Sequence, residues 1–247
     1  MREKVCPKCN GTGWTLKKKG DKEFAYKCDC QNLDILLSKS ERANIPKRFA
    51  TYKLENYFPD SDNPSQEKAK RIVQKFVASY PTYPGNDRGL LLQGSIGLGK
   101  TQLLSSIATE LMKKDDKIGI YYIDWNDLVR EMRTGEGHST RDFAGINHLM
   151  SRLVEVELLL FDELASSKVS QWVADYIYYL INKRYNDKKM TIFATNFYDK
   201  TYKSNTETLE QRIGPRLRSR LYEMALSVEI KGNDFRQEEL KSKGEKI

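Results

Sequence analysis

The run Gly94-Ser95-Ile96-Gly97-Leu98-Gly99-Lys100-Thr101 constrains this chain more than any other stretch, because it meets the spacing G-x-x-x-x-G-K-[ST] at every required position. The apolar run Gly89-Leu90-Leu91-Leu92-Gln93 precedes it, and Leu103, Leu104, Ile107 and Leu111 follow at helical spacing. Strand, glycine-rich turn and helix in that order aim successive backbone N–H groups and the positive end of a helix dipole at one point. Such a point suits the β-phosphate of a nucleotide, with Lys100 reaching the β/γ-phosphates and the Thr101 hydroxyl offered to Mg²⁺. The candidate nucleotide contacts are therefore Gly94, Gly97, Leu98, Gly99, Lys100, Thr101 and the adjacent Gln102.

Beyond this loop the chain alternates between the two periodicities. Strands are expected at 118–124, 156–162, 189–195 and 225–230, with helices at 100–113, across 125–154, at 170–185 and near 206–223. Alternation of this kind predicts an α/β fold, a parallel sheet with helices on both faces. Leu158-Leu159-Leu160-Phe161-Asp162-Glu163 reads as a buried strand ending in two carboxylates. Asp162 would hold Mg²⁺ and Glu163 would polarise an attacking water, a division of labour suited to hydrolysis of ATP.

All four cysteines fall in the first 30 residues, as Cys6-x-x-Cys9 and Cys28-x-Cys30. Between them, Trp14-Thr15-Leu16 and Phe24-Ala25-Tyr26 read as short strands joined by a turn from Lys17 to Glu23, a hairpin that brings the pairs together. Zn²⁺ held by Cys6, Cys9, Cys28 and Cys30 is the preferred reading, since so short a segment needs a cross-link to fold. An Fe–S cluster also takes four cysteines, and two disulfides or free thiols are the remaining alternatives.

Four units are expected: a zinc module at 1–31, a helical linker and docking segment at 32–62, the nucleotide core at 63–236, and a basic tail at 237–247. Charged residues make up 31% of the chain and no apolar run approaches the roughly 20 residues that span a bilayer, so a soluble, cytoplasmic protein with no membrane partner is expected. A net charge of +8 favours an anionic partner without naming one. His138 and His148 have no metal-like or nucleophilic surroundings in the sequence.

Thr191-Ile192-Phe193-Ala194-Thr195-Asn196 adds a strand tipped by Asn. A phosphate loop, Asp-Glu at one strand end and Asn at a later one resemble the AAA+ ATPases. The resemblance gives Asn196 the sensor-1 role, beside the water that attacks the γ-phosphate. In Arg212-Ile213-Gly214-Pro215-Arg216-Leu217-Arg218-Ser219-Arg220-Leu221 it implies an arginine finger offered to a neighbouring subunit, with Arg220 preferred and Arg216 or Arg212 as alternatives. A basic helix facing solvent or DNA is the plainer reading of the same residues.

Only 26 residues follow Leu221, too few for the helical lid of most AAA+ proteins. A lidless core with Ile45-Pro46-Lys47-Arg48-Phe49 ahead of it and Ser219-Arg220-Leu221-Tyr222-Glu223-Met224 near its end resembles the DnaC/DnaI bacterial helicase loaders and the IstB-type transposition helpers. The resemblance implies a replicative DnaB-type helicase as partner through the cysteine module, an ATP-bridged spiral or ring-like homo-oligomer, and single-stranded DNA in its channel. The rival readings are a transposition helper and a non-hydrolysing adaptor. Two helices, Trp125 to Arg133 and Arg141 to Val154, stand where a minimal core needs one and resemble an initiator-specific insertion. Arg130, Arg133, Arg141 and Arg152 could there meet phosphates or merely solvate the two helices.

Overall fold

The computed structural model describes residues 6–10, 12–20, 22–81, 88–115, 117–135, 140–199 and 207–235. His138 and the tail from Lys241 lie outside the described residues. At the N-terminus β1 (Trp14–Lys19) pairs antiparallel with β2 (Lys22–Lys27). The turn is shorter than the expected Lys17-to-Glu23 span, because Lys19 already pairs with Lys22 and Gly20 takes a φ of 64°, which glycine adopts without penalty.

Helix α1 (Asp29–Arg42) follows at once, and Asn44 turns the chain after it with a φ of 57°. The next segment carries a single 3₁₀ turn (Leu54–Asn56) and leads into α2 (Pro64–Ser79). Proline at the first helical position and Asn63, whose side chain accepts from the Ser65 amide, start α2.

The core is a five-stranded parallel sheet in the order β4 (Ile120–Asp124), β5 (Leu158–Asp162), β6 (Met190–Thr195), β3 (Gly89–Gln93), β7 (Ala225–Glu229). Alternate residues of each strand enter opposite layers. Leu90, Leu92, Leu158, Leu160 and Ile192 pack with α2 and α3 (Lys100–Lys114), whereas Leu91, Leu159, Phe161 and Phe193 pack with the helices of the other face. Those helices are α4 (Trp125–Gly135), α5 (Thr140–Glu155), α6 (Gln171–Asn186) and α7 (Leu209–Met224). Burial on both faces explains why the strands read as unbroken apolar runs.

Two features were not legible as elements. Helix α7 is kinked at Gly214, whose φ of 79° and ψ of 159° leave the helical region ahead of Pro215. The segment after α1 also joins the core: Ala43, Ile45, Leu54 and Tyr57 are buried in the α2–α3 layer. There the Tyr122 amide donates to Ala43 O at 2.8 Å and the Asn44 side-chain amide donates to Tyr122 O at 2.9 Å. The open edge of β4 is thereby covered by the chain that links it to the cysteine module.

Arg184 of α6 is fully buried and serves as a polar clamp. Its guanidinium donates to the carbonyls of Leu153, Val154, Val156 and Met190 and to the Thr191 hydroxyl, tying the end of α5 to the starts of β5 and β6. These acceptors are neutral, and burial lowers its pKa to about 9.

Candidate nucleotide site and cysteine cluster

The phosphate loop links β3 to α3, so its amides converge at the carboxyl end of the sheet, where open α/β sheets bind ligands. Gly97 and Gly99 have φ of 80° and 76°, which side chains resist, and space is short as well. A methyl group on Gly97 would meet Asp234 Oδ1 at 1.8 Å, and one on Gly99 would meet the Tyr57 ring at 2.7 Å.

Residues outside the motif hold the loop. The Tyr57 hydroxyl donates to Leu98 O at 3.3 Å, and the Gln102 amide donates to Asn56 O at 2.8 Å. Tyr198 Oη accepts from the Ser95 amide at 3.2 Å and donates to Ile230 O at 3.0 Å. Phe235 N donates to Gly97 O at 3.3 Å. Lys100 is buried, and its ammonium donates to Ser95 O at 2.7 Å, folded back over the loop.

Asp162, at the end of β5, is buried at 2% exposure. Its Oδ2 accepts from the Tyr122 hydroxyl at 2.8 Å and its Oδ1 from the Glu163 amide at 2.9 Å, while the Thr101 hydroxyl is a further donor. Burial raises its pKa, and these donors oppose the rise. All three donors are neutral. A buried carboxylate so supported, next to the threonine that ends the phosphate loop, is a set of hard oxygens that fits Mg²⁺, which Thr101 and Asp162 would hold. Asp124 sits opposite Asp162 in the β4–β5 register, its pKa also raised by burial, and its Oδ1 accepts from the Asn126 amide at 2.8 Å.

Glu163 lies just past the strand with a φ of 51°, a conformation a non-glycine residue keeps only when its surroundings impose it. They do: Leu164 N donates to Ala194 O at 2.8 Å, the Thr195 hydroxyl donates to Leu164 O at 2.8 Å, and Ser166 N donates to Glu163 O at 2.9 Å. The turn is thus fastened to β6, whose tip carries Asn196. Asn196 Nδ2 donates to Glu163 Oε2 at 2.6 Å. Asp162, Glu163, Asn196 and the phosphate loop therefore gather at one end of three adjacent strands.

The arginines separate by environment. Arg212 stacks on Phe197 with 4.6 Å to the ring centroid and pairs with Glu207 at 3.1 Å. Arg218 pairs with Asp199 and Glu210. Arg220 lies over the rings of Tyr185 and Tyr178 at 4.9 and 5.7 Å, on the α6 side of α7. Arg216 is exposed. In the α4–α5 region Arg130 pairs with Asp127, Arg152 stacks on Tyr121 and donates to Arg42 O, and Arg133 is exposed. The Arg141 side chain lies outside the described ones.

At the other end of the chain the four cysteine sulfurs lie within 4.8 Å of one another, with Cys6–Cys28 at 3.9 Å and Cys9–Cys30 at 3.5 Å. Zn–S bonds of about 2.3 Å at tetrahedral angles separate sulfurs by about 3.8 Å, so the cluster fits Zn²⁺ held by Cys6, Cys9, Cys28 and Cys30. The Gly13 amide donates to Cys9 Sγ at 3.3 Å, a bond that favours thiolate. Burial opposes ionisation of Cys9, yet that amide and the neighbouring Cys30, Cys6 and Cys28 thiols bring its pKa down to about 7.

The phosphate loop, Asp162, Glu163 and Asn196 stand together as the sequence predicts. Sequence reasoning missed Tyr57, Tyr122 and Tyr198, which reach the site from flanking elements. The one available signal was register, because Asp124 ends β4 level with Asp162 and so brings β4 to the site.

Known proteins resemble this chain in sequence and in fold. DnaI, the replicative helicase loader of Bacillus subtilis (strain 168), is 26% identical over 184 residues, covering 72% of this chain and 56% of DnaI. The chromosomal replication initiator protein DnaA of Neisseria meningitidis (serogroup C, strain FAM18) is 24% identical over 182 residues, 72% of this chain and 34% of DnaA. The chain thus spans about half the length of the first relative and a third of the second. Among solved structures, the DnaC helicase loader superposes with a TM-score of 0.59 at 29% identity, over 75% of this chain and 100% of that one. A DnaI structure gives 0.58 at 26% identity, over 75% and 94%. The fold is that of the DnaC-like AAA+ proteins, and since the family model for IstB-like ATP binding proteins matches residues 34–243, the chain belongs to that family.

Proposed function

We propose that this chain is an ATPase that loads a replicative hexameric helicase onto single-stranded DNA. The observation that carries the ATPase part is the Asn196–Glu163 hydrogen bond of 2.6 Å at the strand tips beside the phosphate loop. Asn196 occupies one carboxylate oxygen of Glu163 and so orients the other toward a water in line with the γ-phosphate, with Glu163 as base. Lys100 leaves Ser95 O for the β/γ-phosphates, and the amides from Gly97 to Thr101 wrap the β-phosphate. Thr101 and Asp162 would hold Mg²⁺, which would neutralise charge on the phosphoryl group being transferred. Arg220, offered from α7 of one subunit to the nucleotide of the next, completes the site within an ATP-bridged spiral or ring-like homo-oligomer.

The loader part rests on the DnaI and DnaC relatives and on the cysteine module, which would carry Zn²⁺ and hold the helicase. A cytoplasmic setting follows from that role, and no helix among the described residues is long and apolar enough to cross a membrane. Co-purification of the tagged full chain from its own cell extract with ATP and Mg²⁺ tests the partner. Recovery of the replicative helicase, lost in a Cys9→Ser variant, is the expected result. The IstB-like family match favours transposition helper as the second reading, which recovery of a transposase in place of the helicase would establish.

A further inference from the structure

Asp162 can present either carboxylate oxygen to a cation only if it is free to rotate, and it is not. The Tyr122 hydroxyl holds Oδ2 at 2.8 Å from one side and the Glu163 amide holds Oδ1 at 2.9 Å from the other. The Tyr122 ring is itself fixed. It is 3% exposed, lies in register with Leu160, and stands tilted against Phe49 with 6.4 Å between centroids. Its backbone is held on the opposite edge by Ala43 and Asn44.

Resting on the nucleotide-site reading above, we propose that Tyr122 is a positioning residue for the divalent cation, its hydroxyl setting the orientation in which Asp162 meets the metal. A partner hydrogen-bonded to a metal-binding carboxylate fixes its plane and tunes its basicity, and loss of such a partner typically weakens metal affinity or activity by about 10- to 100-fold. Tyr122 belongs to neither nucleotide motif. It enters the site from the edge strand, and through that strand the segment carrying the cysteine module is one hydrogen bond from the backbone of a residue that touches the metal carboxylate.

The test measures binding of a fluorescent ATP analogue to the full chain, in EDTA and across a Mg²⁺ titration, for wild type and Tyr122→Phe. Phenylalanine keeps the ring and removes only the hydroxyl. The expected result is unchanged affinity in EDTA and a Mg²⁺ midpoint raised about 10-fold. Superimposable Mg²⁺ curves for the two proteins would overturn the proposal and leave the nucleotide site standing. Equal loss of affinity with and without Mg²⁺ would also overturn it, assigning Tyr122 to the fold alone. A wild type that binds no analogue under either condition would remove the nucleotide-site reading, and the proposal with it.

Discussion

Asn196 Nδ2 donates to Glu163 Oε2 at 2.6 Å, joining the tips of the adjacent parallel strands β6 and β5. The amide donates here without adding charge and engages only one of the two carboxylate oxygens of Glu163. Asn196→Ala is expected to lower kcat by about 10²-fold, the low end for a misplaced general base, while ATP affinity holds. Asn196→Asp replaces the donor with a second carboxylate that repels Glu163, and is expected to lower kcat at least as much as Asn196→Ala. Steady-state kinetics with a nucleotide-binding titration checks both.

Asp162 is a buried carboxylate with neutral donors and a pKa raised by burial. Between its ordinary value and the raised one the folded protein binds more protons than the unfolded chain. Without nucleotide, stability therefore falls as pH rises through that window, and Asp162→Asn is expected to stabilise the protein. Each kcal/mol gained shifts Tm by about 2–4 °C for a chain of this size. The same variant is expected to lose the Mg²⁺ dependence of nucleotide binding. Thermal melts with and without Mg²⁺ and ATP read out both effects with opposite signs.

The cysteine cluster predicts one zinc per chain by elemental analysis, and a colourless protein rather than the brown of an Fe–S centre. Thiolates bind the metal and protons compete for them, so acidification is expected to weaken zinc binding. Cys9→Ser is expected to lose zinc and the β1–β2 hairpin while nucleotide binding survives, because the sheet core is built without those strands. Retention of one zinc by Cys9→Ser would count against the four-cysteine site.

For the arginine finger, subunits carrying Arg220→Ala and subunits carrying Glu163→Gln are each expected to be inactive alone and to regain part of the hydrolysis when mixed. One interface in the mixed assembly then pairs an intact Arg220 with an intact Glu163. No recovery at any ratio would exclude action in trans by Arg220 and turn attention to exposed Arg216.

Arg184→Ala is expected to cost about 3–5 kcal/mol, because it leaves buried carbonyls of Leu153, Val154, Val156 and Met190 without their donor and opens a cavity. Urea unfolding measures the loss. Arg184→Lys is expected to recover only part of it, since one ammonium cannot span acceptors on three elements.

What the sequence made legible was local. The Gly94–Thr101 loop, the Asp162–Glu163 pair and the Asn196 tip each declare themselves through a short motif at the end of an apolar strand, and parallel order brings such ends together. The rest depends on contacts between distant positions. Nothing around Asn44 announces that it will pair with Tyr122, 78 positions away, nor that Tyr198 will cap Ser95 across 103. The Gly214 kink was hidden because Arg212 to Leu221 still carries helical spacing on both sides of it. Nothing next to Arg184 in the sequence signals that the end of α5 and the starts of β5 and β6 will enclose it.

The proposed role of Glu163 in activating water is tested most directly by comparing wild type with Glu163→Gln for ATP binding and for single-turnover hydrolysis with Mg²⁺ and single-stranded DNA. The predicted result is tight ATP binding by both proteins, hydrolysis by wild type, and a rate reduced by about 10²- to 10⁴-fold in the variant. Hydrolysis by Glu163→Gln at the wild-type rate would contradict the assignment.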